Sequence, residues 1–151
     1  MIDEKDDTFL GGNVKGMMMT LLAHWNAQMD DGRATTEFAD IRPSDMRVFG
    51  QLRGRTVKLS IIHRELGFSR QGAQQAIDRL VAHGVLMVEL ATDSKRDKVV
   101  SVTEKGQKLR TLAATQIREI EAACAAVVGE ERTEVLRSIL ADLVKETRSG
   151  P

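Results

Sequence analysis

Residues 58–106 decide the fold of this chain, and they read KLSIIHRELGFSRQGAQQAIDRLVAHGVLMVELATDSKRDKVVSVTEKG. Residues 59–66 and 69–83 have apolar side chains at helical spacing, and Gly67 between them favours a turn. Two strand-like runs follow, residues 85–91 and 98–103, with a polar tip between them. The order predicts a helix-turn-helix followed by a β-hairpin, an arrangement that can insert a helix into a DNA groove and hold the backbone with the hairpin.

The second of these helices has one apolar and one polar face. Ser69 is placed to cap its first turn. The side chains predicted to point inward are Ala73, Ala76, Ile77 and Leu80, and those predicted to point outward are Arg70, Gln71, Gln74, Gln75, Asp78 and Arg79. Gln pairs with adenine and Arg with guanine in the major groove, while Ser and free N–H groups suit phosphates. An ordinary amphipathic helix with a solvated face has the same composition, so this helix alone does not establish DNA binding.

The hairpin tip carries Lys95, Arg96 and Lys98, which could reach phosphates or the minor groove. An ordinary solvent-exposed turn could have the same sequence, and Asp93 and Asp97 partly cancel the positive charge. The two features together are more specific than either alone.

Charge is unevenly distributed along a chain whose net charge is +0. Residues 42–98 hold eleven Lys/Arg against six Asp/Glu, whereas residues 1–41 hold three against eight. A basic middle segment is typical of a nucleic-acid surface, although a surplus of five charges is also compatible with a solvated face.

Apolar stripes flank the basic segment on both sides. Residues 12–31 form a predicted helix that Gly32 ends, and residues 104–147 form two more, which Gly129 separates. Thr103 is a good cap for the first of these two, and Pro43 is well placed to begin a helix over residues 43–53. Residues 1–10 are predicted to be disordered. The fold class is therefore mainly α with a small β-hairpin, a single domain of 151 residues whose outer helices pack against each other or a second copy.

Residues 58–106 resemble the winged helix-turn-helix of the MarR family of bacterial transcription regulators. The matching segments are Ser69-Arg70-Gln71, Asp78-Arg79-Leu80, His83-Gly84-Val85-Leu86, Ser94-Lys95-Arg96 and Val102-Thr103-Glu104-Lys105-Gly106. Arg42-Pro43-Ser44, with Phe49 and Leu52, is similar to the family's second helix, and the resemblance covers residues 12–147. The family's hairpin, called the wing, usually has Asp-Arg-Arg where this chain has Ser94, Lys95 and Arg96.

The resemblance implies a homodimer that binds double-stranded DNA through residues 42–103 and dimerises through residues 12–31 and 104–147. It implies a palindromic operator, a recognition helix in the major groove and a basic wing at the minor groove or backbone. The DNA-contacting residues would be Ser69, Arg70, Gln71, Gln74, Gln75, Arg79, Lys95, Arg96 and Lys98. It also implies release by a small-molecule effector, whose pocket would include Trp25 and Met29, although core packing explains these two residues better.

Other functions find less support in the sequence. Cys124 is the single cysteine and lies on an apolar stripe, which favours a buried structural thiol. His24, His63 and His83 lack metal-ligand spacing, no catalytic motif is visible, and neither a cofactor nor a metal is expected. No apolar run of residues is long enough to span a membrane, so we expect a cytoplasmic protein. The alternative function is a winged-helix module that binds another protein without reading DNA sequence.

Overall fold

A computed structural model describes residues 1–65, 69–93 and 96–148 of the chain. The chain divides into two compact units, Met1–Ala113 and Ala114–Pro151. The elements in chain order are α1 (Glu4–Gly11), α2 (Val14–Arg33), α3 (Pro43–Leu52), β1 (Val57–Lys58), α4 (Leu59–Glu65), α5 (Arg70–Ala82), β2 (Leu86–Leu90), β3 (Lys98–Val102), α6 (Glu104–Val128) and α7 (Glu130–Arg148). Within the described ranges, none of these helices combines the length and apolarity that a membrane crossing requires.

The three strands form one antiparallel sheet in the order β1-β3-β2. Val100 on β3 pairs with Val57 on one side and with Val88 on the other. The predicted hairpin is thus confirmed, and the extended residues before α4 add a third, two-residue strand to it. The sheet, helices α3, α4 and α5 and the first turns of α6 enclose a mainly aliphatic core, whose side chains include Leu52, Ile62, Ile77, Leu80, Leu86 and Leu109.

Helix α5 has the cap and the buried face that the sequence predicts. The Ser69 hydroxyl accepts a hydrogen bond from the Gly72 N–H at 3.0 Å, which satisfies one of the free donors of the first turn. All four residues predicted to point inward are buried. The helix ends at Ala82, and Gly84 turns the chain away from it with a φ of +78°, the left-handed conformation that glycine adopts without strain.

The start of α6 is attached to the end of α5. The Thr103 hydroxyl accepts from the Gly106 N–H at 3.0 Å, as predicted for a cap, and also donates to the Gly84 carbonyl. Gly106 is buried against the Val85 carbonyl, where a side chain would overlap. These contacts join the first turn of α6 to residues 42–103, which are called the recognition lobe below.

The prediction of disorder for residues 1–10 is wrong, because Glu4–Gly11 forms helix α1. Asp3 caps it by accepting from the Lys5 N–H, and three acidic residues in its first turn complement the positive end of the helix dipole. The prediction that Gly32 ends the next helix is also wrong, since α2 continues to Arg33. Arg33 is buried and holds this end by pairing with Asp30 at 2.9 Å. Leu66 and Gly67, the predicted end of α4, lie outside the described residues.

The outer helices keep large apolar side chains exposed in the single chain. On α2 these include Met17 (52% exposed) and Leu21 (45%), and on α7 they include Ile139 (51%) and Leu143 (56%). Within the second unit, Arg137 of α7 forms two hydrogen bonds to Glu121 of α6, at 2.8 and 2.9 Å. Cys124 is half-buried on α6, so it is less enclosed than its position on the stripe suggests.

Candidate nucleic-acid interface

A cleft of about 580 Å³ opens between α4, α5 and the wing. Its lining includes Leu59, Ser60, His63, Arg70, Gln71, Gln74, Gln75, Arg96, Asp97 and Lys98. Six of the nine residues that the sequence singles out for DNA contact therefore line one concave surface. Three of those six, Arg70, Arg96 and Lys98, carry positive charge, so the surface suits an anionic partner.

The outward face of α5 presents donors and acceptors suited to base edges. Arg70, Gln71 and Gln75 are exposed, as predicted. Gln74 is half-buried and donates its side-chain amide to Asp78 at 2.9 Å, one turn along the helix. Because that bond occupies one amide donor, Gln74 has less freedom than Gln71 or Gln75 to adjust to a partner.

Two other predicted residues, Ser69 and Arg79, do not line the cleft. Ser69 is exposed, but its hydroxyl oxygen is engaged as the cap of α5. Its hydroxyl hydrogen and the first free N–H groups of α5 are the donors that an approaching phosphate would meet.

Arg79 does not point freely outward as predicted. Its Nε and Nη2 atoms each donate to a carboxylate oxygen of Asp45, both at 2.8 Å, and Asp45 is completely buried on α3. These hydrogen bonds raise the pKa of Arg79 above its ordinary value. The sequence predicts the outward position because an arginine on a polar face is usually solvated. Arg79 is instead drawn to Asp45, because a buried carboxylate needs a charged partner.

Ion pairs link the tip of the wing to strand β1, in addition to the backbone pairing of β1 with β3. Lys58 on β1 lies 3.7 Å from the Asp93 carboxylate and 3.6 Å from that of Asp97, the acidic residues on either side of the tip. Arg96 and Lys98 are exposed on the second half of the wing. The predicted contacts of Lys95, and the departure from the family pattern at Ser94, concern positions outside the described residues.

The sequence patterns did not single out two residues that line the cleft, Ser60 and His63, or the buried Asp45 that holds Arg79. Ser60 and His63 are three residues apart on α4, and helical spacing could have placed both on one face. Asp45 precedes Val48, Phe49 and Leu52 by three, four and seven residues, which puts it on their buried face. An acidic residue on an otherwise apolar helix face needs a charged partner, and this feature of Asp45 could have predicted its pairing with a basic residue such as Arg79.

The residues predicted for an effector pocket lie elsewhere. Trp25 and Met29 are half-buried on α2 and do not line the cleft beside α5, and neither belongs to the core. In the described part of the chain, no three His, Cys, Asp or Glu side chains are grouped as metal ligands would be.

No protein-family model matches the chain, and no curated protein sequence matches it. Solved structures do match. A structure described as MarR has 14% identity and a TM-score of 0.77, over 92% of this chain and 100% of that one. A MarR transcriptional regulator from Methanosarcina mazei has 14% identity and a TM-score of 0.75, over 90% and 96%. Streptococcus pneumoniae FabT in complex with DNA has 14% identity and a TM-score of 0.72, again over 90% and 96%. The fold implied by the resemblance is thus confirmed: it is the winged-helix fold of MarR regulators.

Proposed function

We propose that this chain is a DNA-binding transcription regulator of the MarR family that acts as a homodimer. The observation that carries the proposal is the cleft, which gathers Arg70, Gln71 and Gln75 of α5 with Arg96 and Lys98 of the wing. Helix and wing thus contribute to one continuous surface, which is what simultaneous contact with bases and phosphates requires. The structural similarity to FabT, which was solved with DNA, supports the same function.

The chemistry divides between the two elements. Arg70 can donate two hydrogen bonds to guanine, and Gln71 or Gln75 can both donate to and accept from adenine in the major groove. Lys98 offers a point charge that neutralises a phosphate, and Arg96 is suited to the narrow, negative minor groove. In this assignment α5 supplies sequence selectivity, while the wing supplies affinity for any duplex. Lys95 remains a proposed phosphate contact.

The homodimer is proposed from the exposed stripes of α2 and α7. Two copies joined along these stripes would bury side chains such as Leu21 and Ile139, which a lone chain leaves in water. A two-fold dimer would present two α5 helices about one turn of DNA apart, so the operator would be a near-palindrome. The resemblance to the MarR family also leads us to propose that the dimer represses transcription and is released from DNA by a small-molecule effector.

Salt titration tests whether the surface binds DNA. Affinity for a generic duplex should fall steeply as salt rises, because each neutralised phosphate releases counterions. Lys98→Ala should weaken binding to all duplexes alike and reduce the slope of log affinity against log salt by about one. Arg118→Ala removes the same charge from an exposed site on α6 and should leave that slope unchanged.

Base reading is tested on the recognition helix. Arg70→Ala and Gln75→Ala should each cost about 1–3 kcal/mol on the preferred operator and relax the preference at individual base pairs. Gln28→Ala, an exposed glutamine on α2, is the matched control. Equal losses on preferred and random duplexes for both α5 variants would refute base reading, and a flat salt dependence would favour the protein-interaction module.

A further inference from the structure

Among the described residues, the Asp45–Arg79 pair joins α5 to α3 by charge. The two residues are 34 positions apart in sequence, and both carboxylate oxygens of Asp45 are engaged by the arginine. Asp45 has no exposed surface, whereas a third of the Arg79 side chain is exposed. The pair therefore spans the boundary between the core and the surface of the recognition lobe.

Stability alone gives a poor reason for such a pair. Removing a carboxylate from water is costly, and well-packed apolar residues of similar volume often replace buried ion pairs with no loss of stability. What an apolar pair lacks is direction. The planar guanidinium meets the carboxylate through two parallel bonds, which fix both the distance and the angle between the two helices.

Arg79 also lies on the same row of helix α5 as two of the residues proposed to read bases. Gln71, Gln75 and Arg79 are spaced by four residues, so they form one row along α5. Rotation of the helix about its axis would move Gln71 and Gln75 with Arg79. Polar recognition tolerates only about 0.5 Å and 10–20° of error in the supporting geometry.

We propose that Asp45 and Arg79 form a positioning pair that sets the rotation of α5, so that selectivity for bases depends on a contact inside the protein. Arg79 then acts through Asp45 and is removed from the set of base-reading residues. The inference rests on the proposed function, because it concerns how the same surface discriminates between sequences.

The test compares two affinities for each variant: one for the operator that the wild-type protein enriches from random duplexes, and one for a scrambled duplex. Asp45→Asn should lower the ratio of the two about tenfold or more, while affinity for the scrambled duplex stays within about twofold. Glu89→Gln removes one negative charge from the exposed face of β2 and should leave the ratio unchanged.

A second variant separates positioning from folding. Asp45→Leu combined with Arg79→Met replaces the pair by apolar side chains, and its Tm should be at or above that of the wild type. The ratio should nonetheless stay as low as in Asp45→Asn. A wild-type ratio in the double variant would overturn the inference, because it would show that the pair only stabilises the fold.

Direct base contact by Arg79 gives a different result. In that case Arg79→Met would lose its preference at one base pair while Asp45→Asn kept the full ratio, and the inference would be overturned. A wild-type protein that enriches no duplex would overturn the proposed function and this inference together. A selective wild type with an equally selective Asp45→Asn variant would overturn the inference alone.

Discussion

Gly106 shows how one missing side chain permits a close contact in the recognition lobe. A Cβ at this position would overlap the Val85 carbonyl and lie 2.6 Å from Cγ1 of Val102. Neither neighbour can move easily, since one is backbone and the other is a β-branched side chain on the last residue of β3. The first turn of α6 can therefore approach the residue that precedes β2 only because residue 106 is glycine.

Gly106→Ala should destabilise the protein by about 1–3 kcal/mol, the usual cost of overpacking a close contact. Urea denaturation followed by circular dichroism measures the change. Gly50→Ala is the control, because a Cβ there meets nothing within 4 Å and the site is helical. It should be neutral or stabilising by up to about 1 kcal/mol. Equal destabilisation by both substitutions would contradict the proposed cause.

Local chemistry was predictable at the residue scale, and partners distant in sequence were not. The caps at Ser69 and Thr103 follow from residue type and position, because a cap bonds to the turn that comes directly after it. The pairing of Arg79 with Asp45 depends on how two helices cross, which no local pattern records. That pairing is why the predicted outward position of Arg79 was wrong.

At the scale of elements, the wing depends on a lysine in another strand. Lys58 lies between Asp93 and Asp97, and all three side chains are in partial contact with solvent, from 41% exposed for Lys58 to 68% for Asp93. Such exposed pairs contribute little to stability and are screened by salt. Lys58 also matters through its charge, because without it the two carboxylates would add negative potential next to the proposed phosphate contacts.

Lys58→Gln should therefore weaken binding to every duplex several-fold at low salt, with little change in Tm. The added repulsion should shrink as salt rises, so the difference from wild type should narrow toward about 1 M, where screening acts over about 3 Å. Lys105→Gln removes the same charge from the start of α6 and is the control. If both substitutions weakened binding equally, the effect would come from net charge and not from the wing.

Helices α6 and α7 are joined by a pair whose strength depends on pH. The hydrogen bonds from Arg137 lower the pKa of Glu121 below its ordinary value of 4.5. A lowered folded-state pKa stabilises the fold above the unfolded pKa, and this contribution disappears as pH falls through the folded-state pKa. The pair should thus contribute at neutral pH and be lost in acid.

Glu121→Gln should make stability less sensitive to pH on the acid side. Tm of the wild type should fall more than that of the variant as pH drops below about 4.5, and the two curves should run parallel above about pH 6. Glu119→Gln, an exposed neighbour on the same helix, should follow the wild-type curve. If the Tm of Glu121→Gln fell in acid as much as that of the wild type, other groups would dominate the pH dependence of stability.

Periodic segments were the predictable elements, and the N-terminal segment was not. Helices α3, α5, α6 and α7 begin and end within about two residues of the predicted positions, because apolar spacing and Gly or Pro mark them. Helix α1 has too few apolar residues for that signal and forms instead with the Asp3 cap and first-turn acids. The strand β1 has two residues, so its pairing with β3 was not visible in periodicity.

At the scale of the whole molecule, the basic segment and the apolar stripes have separate proposed tasks. The net charge of zero conceals a positive middle segment, and the structure places three of its cations around one cleft. Sequence could predict this because charge was counted by segment. It could not predict which outer residues a single chain buries, since an apolar stripe marks a contact without identifying its partner.

Leu21→Glu and Ile139→Glu should each convert the proposed dimer to monomer or aggregate, because a carboxylate would be buried without a partner. Sedimentation should give twice the 16.7 kDa chain mass for the wild type and a different mass for these variants. Ala27→Glu adds the same charge to an exposed position on the opposite face of α2 and should sediment as the wild type does. Unchanged sedimentation of both Leu21→Glu and Ile139→Glu would refute these stripes as the interface.

Two copies of α5 are proposed to read one DNA site, and selection from random duplexes by the wild-type protein is the decisive experiment. The enriched sequences should contain a near-palindrome whose half-sites are about 10 base pairs apart, centre to centre. Binding to it should exceed binding to a scrambled duplex by about a thousandfold or more at physiological salt. Enrichment of no sequence, or of a single unpaired half-site at full affinity, would contradict the account.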